Sequence, residues 1–254
     1  MDRHRTGGRD GRLHHLPDHP RRRPPAPAHL PGQYVSVQVE LPDGARQIRQ
    51  YSLSTAPGSP VRAITVKRVH GPAADGPDGE VSHHLHTRVR VGDTLRVSLP
   101  CGDLTLEDSG APVLLASAGI GCTPMLSMLE HLAETGHAAP VTVLHADRSP
   151  ADHALRDDHR ALTHKLADAT ARFWYEEGAE PGDTTGLMDL SGVTVAGDPR
   201  VPVRAAPLHA RGARAAARQG RPGVRRPLRG VRPRPVARLR MTAVRIRSLA
   251  VRKH

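Results

Sequence analysis

Two glycines and a Thr-Pro pair in the middle of the chain have the types and spacing needed to bind a phosphate. Gly119, Gly121, Thr123 and Pro124 closely follow the unbroken apolar run of residues 113–116. Glycine has no Cβ, so the backbone can turn tightly and approach a ligand. If Thr123 caps a helix with Pro124 in its first turn, free N–H groups and the positive dipole end face the anion. The third glycine of the usual dinucleotide fingerprint is absent, so an ordinary strand-to-helix turn is the alternative.

Arg49, Tyr51 and Ser52 form a second group with chemical potential. The arginine guanidinium is a rigid fork that can pair bidentately with a diphosphate. Tyr51 lies two residues further on and projects from the same strand face, where its ring can lie against a flat ligand. The Ser52 side chain faces the opposite side of the strand, but its hydroxyl and backbone could reach the edge of the same flat ligand. A surface charge and an ordinary strand aromatic are the alternatives.

Histidine and cysteine residues give weaker signals. His83, His84 and His86 are close in sequence, but a short surface helix is their expected position, and we predict no metal site. Cys101 and Cys122 are too few for a disulfide framework or an iron–sulfur cluster. We expect Cys122 to be a small filler within the glycine turn.

The net charge of +12 suggests a nucleic-acid partner, so its distribution matters. Residues 201–254 hold 16 Lys and Arg and no acids, and residues 1–30 hold 7 against 3 acids. Residues 31–200 hold 14 against 22 acids, so the body of the chain is acidic. The basic ends lack Phe, Tyr and Trp, and therefore lack the stacking surface of single-strand binders. We expect no specific nucleic-acid partner, with a basic polyanion-binding protein as an alternative function.

Hydropathy points to a cytoplasmic location. The chain has no run of about 18 apolar residues, so we expect no contact with a membrane. Met1 is followed by Asp, Arg and His without an apolar region, so we expect no secretory signal.

Short strands dominate the first half of the predicted structure. Residues 34–41 alternate between polar and apolar side chains, as in a half-buried strand. Further strands are predicted at residues 47–54, 62–69 and 94–99, with a short helix at residues 81–87. Close spacing of short strands is typical of a small antiparallel barrel, which we assign to residues 31–109. The preceding residues 1–30 form a predicted disordered basic leader.

The second half changes to alternating strands and helices. Strands are predicted at residues 113–116, 141–145 and 172–175, with helices at residues 124–134 and 152–167. This alternation is typical of a doubly wound α/β domain, which we assign to residues 110–200. The glycine bend then lies at the carboxyl end of the first parallel strand, where such sheets bind nucleotides. Residues 201–254 form a predicted irregular, Arg-rich tail.

Several motifs occur in the order and at the spacing of one family. They are Pro31-Gly32-Gln33-Tyr34, Arg49-Gln50-Tyr51-Ser52, Gly79-Glu80-Val81-Ser82, Pro100-Cys101-Gly102-Asp103 and Gly119-Ile120-Gly121-Cys122-Thr123-Pro124. Over residues 31–198 the chain resembles the ferredoxin–NADP reductase superfamily, and most closely the reductase portion of bacterial flavohemoglobins. The resemblance implies an all-β FAD-binding barrel followed by an α/β domain that binds NADH or NADPH.

The resemblance also implies the roles of the site residues. FAD would contact Tyr34, Arg49, Gln50, Tyr51, Ser52, Val81 and Ser82, with Tyr51 and Ser52 at the reacting ring. The pyrophosphate of NAD(P)H would lie on Gly119, Ile120, Gly121, Cys122, Thr123 and Pro124. A hydride would pass from NAD(P)H to FAD, and single electrons would pass on to an acceptor such as a haem protein. About thirty residues precede the predicted barrel, so haem is expected only in a missing globin domain or in a partner. Arg148, after the second parallel strand, does not decide between NADH and NADPH.

Both ends depart from the family. The expected Tyr-x-Cys-Gly-Pro-x-x-Phe-Met strand and the closing segment with an aromatic beside the flavin do not follow Pro199. A one-nucleotide shift would let residues 13–23, 201–212 and 227–238 encode family-like segments. Our hypothesis is that both ends are out of frame with an ancestral gene. An inactive or partly folded remnant that keeps only flavin binding is therefore another alternative.

Overall fold

Two kinds of sheet follow one another along the chain. The computed structural model describes residues 28–71, 78–190, 204–205, 241–245 and 249–254, so most of the predicted basic leader lies outside the described residues. The strands are β1 (Tyr34–Glu40), β2 (Arg46–Ser52), β3 (Arg62–Val66), β4 (Thr94–Ser98), β5 (Val113–Ala118), β6 (Val141–Asp147), β7 (Ala169–Tyr175), β8 (Thr184–Thr185), β9 (Arg204–Ala205), β10 (Met241–Arg245) and β11 (Leu249–Lys253). The helices are α1 (Glu80–Thr87), α2 (Cys122–Glu134) and α3 (Arg156–Lys165), and one 3₁₀ turn spans Gly119–Gly121.

The first sheet is antiparallel, as its alternating sequence predicts. Its strand order is β10-β4-β1-β2, and a two-stranded β11-β3 sheet lies beside it. An isolated bridge between Leu53 and Ile64 joins the end of β2 to β3. Val35, Val37 and Val39 project from β1 into a core that α1 also enters. The antiparallel sheet is confirmed, whereas its closure into a barrel and the domain boundaries stay predictions.

The second sheet is parallel, with strand order β8-β7-β6-β5-β9. Its β5 is buried on both faces, as its unbroken apolar run predicts. Leu115 packs on one face with Met125 and Met128 of α2, and Leu114 packs on the other with Trp174. The α/β prediction is thus confirmed. No helix in the described part of the chain combines the length and the apolar character that a bilayer span requires.

One helix begins later than its sequence pattern predicts. The predicted helix of residues 152–167 is confined to Arg156–Lys165. Leu155 has φ 59° and ψ 32°, a left-handed conformation that cannot continue a right-handed helix. The preceding residues form a turn in which the Asp152 N–H donates to the Ser149 carbonyl at 3.1 Å. Apolar periodicity carries no information about such a local backbone reversal.

The prediction of an irregular tail is wrong for three short segments. β9 pairs with β5, β10 pairs antiparallel with β4, and β11 pairs parallel with β3. The physical reason is that an uncovered strand edge presents unpaired N–H and C=O groups, which any chain segment of suitable reach can satisfy. His29, within the predicted leader, is buried, and its Nε2 lies 3.0 Å from the Thr55 carbonyl oxygen.

The last four residues fasten β11 to three elements. Val251 packs against the core of the first sheet. The Lys253 ammonium donates to the His86 carbonyl at 2.8 Å, in the last turn of α1, where a cation is favourable. Arg252 pairs with Asp158 of α3 at 3.0 Å, and the Arg68 N–H donates to the His254 carbonyl at 3.0 Å. The chain terminus therefore touches both halves of the molecule.

Deleting residues 249–254 tests this attachment. The Arg68 amide loses its acceptor, the His254 carbonyl directly after β11, so its hydrogen exchange should accelerate by about tenfold or more. The Ser54 amide, which donates to Ala63 on the opposite edge of β3 at 2.8 Å, is the internal control and should keep its protection. Hydrogen exchange measured by NMR distinguishes the two amides. Unchanged exchange at Arg68 contradicts the observed docking of β11.

Candidate functional site

The predicted flavin-contact residues alternate across the β1–β2 hairpin. Arg49 and Tyr51 lie opposite Val37 and Val35 of β1, whereas Ser52 lies opposite Tyr34. Directly paired residues share a face, so Arg49 and Tyr51 project from one face and Tyr34, Gln50 and Ser52 from the other. The Gln50 amide donates to the Tyr34 hydroxyl at 3.2 Å. All five residues therefore gather toward one end of the hairpin, on two faces.

Among the residues that the structure describes, the exposed guanidinium of Arg49 is hydrogen-bonded only to uncharged acceptors. It donates to the Ile48 carbonyl at 2.9 Å and to the Gln47 side-chain oxygen at 2.8 Å. Gln47 in turn donates to Glu80, the first residue of α1, at 2.6 Å. The guanidinium is thus placed near the start of a helix without being neutralised by a carboxylate. This donor set suits a diphosphate.

The two tyrosines are held by packing. Tyr51 is half-buried against the core, and burial raises the pKa of its phenol while the nearby Arg49 charge opposes that shift. Tyr51 is therefore a neutral ring at physiological pH. The Tyr34 ring lies directly on Gly102, where an added Cβ would stand 2.9 Å from the ring carbons. Gly102 also has φ +115°, so both the close approach and the backbone require glycine.

Val81 and Ser82 occupy the first turn of α1 and are buried. The Ser82 hydroxyl donates to the Gly79 carbonyl at 2.9 Å and accepts from the Val69 N–H at 3.1 Å. These bonds anchor the start of the helix to the segment after β3. Gly79 is the N-cap and supplies no side-chain cap, so backbone N–H groups remain for an anion at this end.

The glycine bend has the predicted strand-turn-helix form. The 3₁₀ turn Gly119–Gly121 joins β5 to α2, and Gly119 has φ +52° with open space where a Cβ would be. The prediction that Thr123 caps the helix is wrong. Its hydroxyl donates backward to the Ile120 carbonyl at 3.1 Å, and Gly121 is the N-cap. No side chain caps α2, but the Cys122 N–H already donates to the Gly119 and Ile120 carbonyls and Pro124 has no N–H. The donors left for a phosphate are therefore fewer than the four N–H groups of an ordinary helix start.

Cys122 behaves as the predicted filler. Its side chain is fully buried, and its thiol donates to the Ala154 carbonyl at 3.4 Å. Burial raises the pKa of the thiol to about 12, so it is not a nucleophile at neutral pH.

A hydrogen bond connects the elements that carry the two candidate sites. The segment that follows β2 touches α2, since the Ser127 hydroxyl donates to the Thr55 carbonyl at 2.7 Å. Arg49, Tyr51 and Ser52 thus lie a few residues before a loop that rests on the helix of the glycine bend. The elements that carry the hairpin and the bend are therefore in contact, whereas the grouping of the site residues themselves stays a prediction.

The arginine that directly follows β6 is already paired with a carboxylate. Arg148 is paired in a bidentate manner with Asp152, at 2.9 and 2.8 Å. Its guanidinium is already satisfied by a carboxylate, which weakens the suggestion of a 2′-phosphate contact. Arg160 of α3 pairs with Asp183 at 2.9 Å.

A buried histidine cluster escaped the sequence analysis. His145 and His153 stack with ring centroids 3.8 Å apart, and His153 Nε2 lies 2.9 Å from His159 Nδ1. His153 Nδ1 also lies 2.8 Å from the Tyr175 hydroxyl. These residues come from β6, β7, α3 and the loop before it, so no local spacing could reveal the cluster. In the described residues, no group of three or more His, Cys, Asp or Glu side chains is arranged to hold a metal ion.

The chain is similar to known flavoproteins. The oxidoreductase NAD-binding domain family matches residues 115–193. The flavohemoprotein of Deinococcus radiodurans is 46% identical over 168 residues, which cover 65% of this chain and 40% of that protein. The flavohemoprotein of Bordetella pertussis is 43% identical over 176 residues, covering 66% and 43%. The chain thus spans about two fifths of the length of these curated relatives.

Solved structures show the same similarity. The flavohem-like FAD/NAD-binding domain of nitric oxide dioxygenase from Vibrio cholerae has a TM-score of 0.59 at 32% identity, covering 67% of this chain and 71% of that one. Flavohemoglobin from Malassezia yamatoensis, with bound FAD and haem, has a TM-score of 0.53 at 26% identity, covering 71% and 44%.

The histidine cluster predicts acid sensitivity. Burial is the main cause that lowers the pKa of His145, His153 and His159, and for His159 the value falls to about 3. Arg156 and Arg160 face His153 and oppose its protonation further. The unfolded chain binds protons near pH 6.5 and the folded chain does not. The free energy of unfolding should therefore decrease as the pH is lowered below about 6.5, by up to about 1.4 kcal/mol per pH unit for each histidine.

Urea unfolding followed by Trp174 fluorescence at pH 7.5, 6.5 and 5.5 measures this slope. His159→Phe removes one titrating group and should flatten the slope, whereas His164→Gln, exposed on the same helix, serves as the control. Stability that is constant from pH 7.5 to 5.5 contradicts the neutral cluster.

Proposed function

Because the chain belongs to the ferredoxin–NADP reductase superfamily, with flavohemoglobin reductase domains among its relatives, we propose that it is an FAD-dependent NAD(P)H oxidoreductase. The observation that carries this proposal is the hydrogen bond from Ser127 of α2 to Thr55, because it joins the helix that follows the glycine bend to the loop that follows the Arg49-x-Tyr51-Ser52 strand. The NAD-binding family match covers the glycine bend and supports NAD(P)H as the substrate.

The hairpin residues fit FAD. Arg49 would pair with the flavin pyrophosphate, together with the uncapped start of α1 at Val81 and Ser82. Tyr51 would lie against the flavin ring from one hairpin face, and Ser52 would meet the ring edge from the other. Tyr34 and Gln50, joined by their own hydrogen bond, would contact the cofactor from the Ser52 face.

The glycine bend fits the pyrophosphate of NADH or NADPH. Gly119, Ile120 and Gly121 form an open turn, and Cys122, Thr123 and Pro124 form the uncapped first turn of α2. The donors are backbone N–H groups and the helix dipole, since Cys122 and Thr123 direct their side chains to protein carbonyls. Gly119 leaves open space at the surface of the turn, where a diphosphate can approach.

The protein's contribution is alignment. When bound, the cofactors supply a hydride from the nicotinamide to the flavin and single electrons from the flavin onward. Tyr51, held half-buried against the core, would fix one side of the flavin ring and exclude water from it.

The electron acceptor is inferred from the relatives of the chain. The Deinococcus and Bordetella relatives are flavohemoproteins, of which this chain covers about two fifths. We propose a haem protein as the acceptor, with nitric oxide dioxygenation as the reaction at that haem. The haem would lie outside the described residues.

A flavin spectrum tests the proposal. The purified chain incubated with FAD should be yellow, and anaerobic NADH or NADPH should bleach it. A yellow protein that does not bleach contradicts hydride transfer and favours the remnant that keeps only flavin binding. A colourless protein with salt-sensitive DNA binding favours the polyanion alternative.

Arg49→Ala tests the assigned flavin contact. Loss of a charge-assisted bidentate pair should weaken FAD binding by about tenfold to a hundredfold. Arg46→Ala is the matched control, because Arg46 lies on the same strand, is exposed and pairs with Glu40 at 3.1 Å. Equilibrium titration with FAD measures both variants. Equal losses in the two variants would show that only general charge matters.

A further inference from the structure

The loop after β2 is fixed on one side by β3. Ser54, Thr55 and Ala56 are all buried, with 1%, 5% and 1% of their surfaces exposed. The Ser54 N–H donates to the Ala63 carbonyl at 2.8 Å, and the Ala63 N–H donates to the Thr55 hydroxyl at 3.1 Å. These contacts determine the path of the chain directly after Tyr51 and Ser52, the proposed contacts of the flavin ring.

On its other side the loop is held by two residues of α2. The Ser127 hydroxyl donates to the Thr55 carbonyl at 2.7 Å, and the Ala56 N–H donates to the Glu130 carboxylate at 2.5 Å. Ser127 and Glu130 are three residues apart and therefore lie on one face of the helix. Ser127 is fully buried and Glu130 is partly exposed. The carboxylate contact is charge-assisted, which makes it the stronger of the two types of bond.

Because α2 is a continuous helix, these contacts also fix the position of its N-terminus relative to the loop. Ser127 lies five residues after Cys122, a rise of about 7.5 Å along the helix axis. The start of α2, which has no side-chain cap, therefore belongs to the candidate phosphate site. Ser127 and Glu130 of the same helix are hydrogen-bonded to the loop after Ser52. Any shift of the loop against α2 would change the distance between the two candidate cofactor sites.

We propose that Ser127 and Glu130 are positioning residues that set the flavin strand against the dinucleotide helix. This inference rests on the proposed function, since it concerns the alignment of the two cofactors. Neither residue touches the reacting atoms. Hydride transfer is sensitive to such alignment, because a displacement of about 1 Å can cost about a hundredfold in rate.

The two residues differ in what their removal leaves behind. Without Ser127, the Thr55 carbonyl keeps the His29 ring nitrogen at 3.0 Å as a partner. Without Glu130, the buried Ala56 N–H loses its acceptor, which is costly for a group out of reach of water. Glu130 therefore gives the sharper test.

The test compares Glu130→Ala with Glu130→Gln in the full-length chain. Glutamine keeps an acceptor oxygen and nearly the same shape, so it should rescue the contact. The first readout is hydrogen exchange of the Ala56 amide, which needs no activity. Exchange should accelerate about tenfold or more in Glu130→Ala and stay within about threefold of wild type in Glu130→Gln.

The second readout is single-turnover reduction of bound FAD at saturating NADH. The rate should fall about tenfold or more in Glu130→Ala, while the dissociation constants of FAD and NADH change by less than about threefold. Glu130→Gln should restore the rate. Glu134→Ala is the matched control, because it removes an exposed carboxylate one turn later on the same helix.

The outcomes separate the two proposals. Unchanged exchange at Ala56 in Glu130→Ala overturns the contact, and an unchanged reduction rate in an active chain overturns the positioning role alone. Loss of FAD binding in proportion to the rate shows a purely structural role and also overturns it. A wild-type chain that binds FAD but is reduced by neither NADH nor NADPH contradicts the proposed function, and the positioning role with it.

Discussion

The docking of α2 against the first sheet is the interaction on which the rest of this structure depends. Met125 and Met128 of α2 pack onto the parallel sheet. Ser127 and Glu130 of the same helix are hydrogen-bonded to the loop after β2. Met128 also lies under Gly32, so close that a Cβ at Gly32 would collide with its terminal methyl group and with the Leu104 carbonyl. A single helix thus belongs to both halves of the molecule, and the two candidate sites share one rigid support.

Glycine N-caps recur where an anion is expected. Gly79 precedes α1 and Gly121 precedes α2, and neither helix has a side-chain cap. A serine or aspartate at these positions would bond to one of the first N–H groups and stabilise each helix by roughly a few tenths of a kcal/mol. The sequence instead leaves these donors to a ligand, at one helix beside Arg49 and at the other beside an open turn. The cost in helix stability is balanced by packing, since Val81, Leu85 and most of α2 are buried.

Much of this arrangement could be predicted from sequence, because it depends on local patterns. The alternation in β1, the apolar run of β5 and the helical spacing of Met125, Met128, Leu129 and Leu132 each match the structure. Features that depend on distant segments could not be predicted. The histidine cluster needs β6, β7 and α3 together, and the tail strands exist because β4 and β3 offer edges. The prediction of a Thr123 cap is wrong for a local reason, because its hydroxyl donates to the Ile120 carbonyl and the helix starts two residues earlier than predicted. The roles of the predicted site residues stay predictions.

The most direct test of face-to-face cofactors is the deuterium isotope effect on flavin reduction. NADH labelled at one or the other C4 position is mixed anaerobically with the FAD-bound chain, and the loss of flavin absorbance is followed in a single turnover. Two rings held in a fixed orientation should give a slower reduction with deuterium on one face only. Equal rates with both labelled forms, or no reduction at all, would contradict the view that this junction aligns the two cofactors.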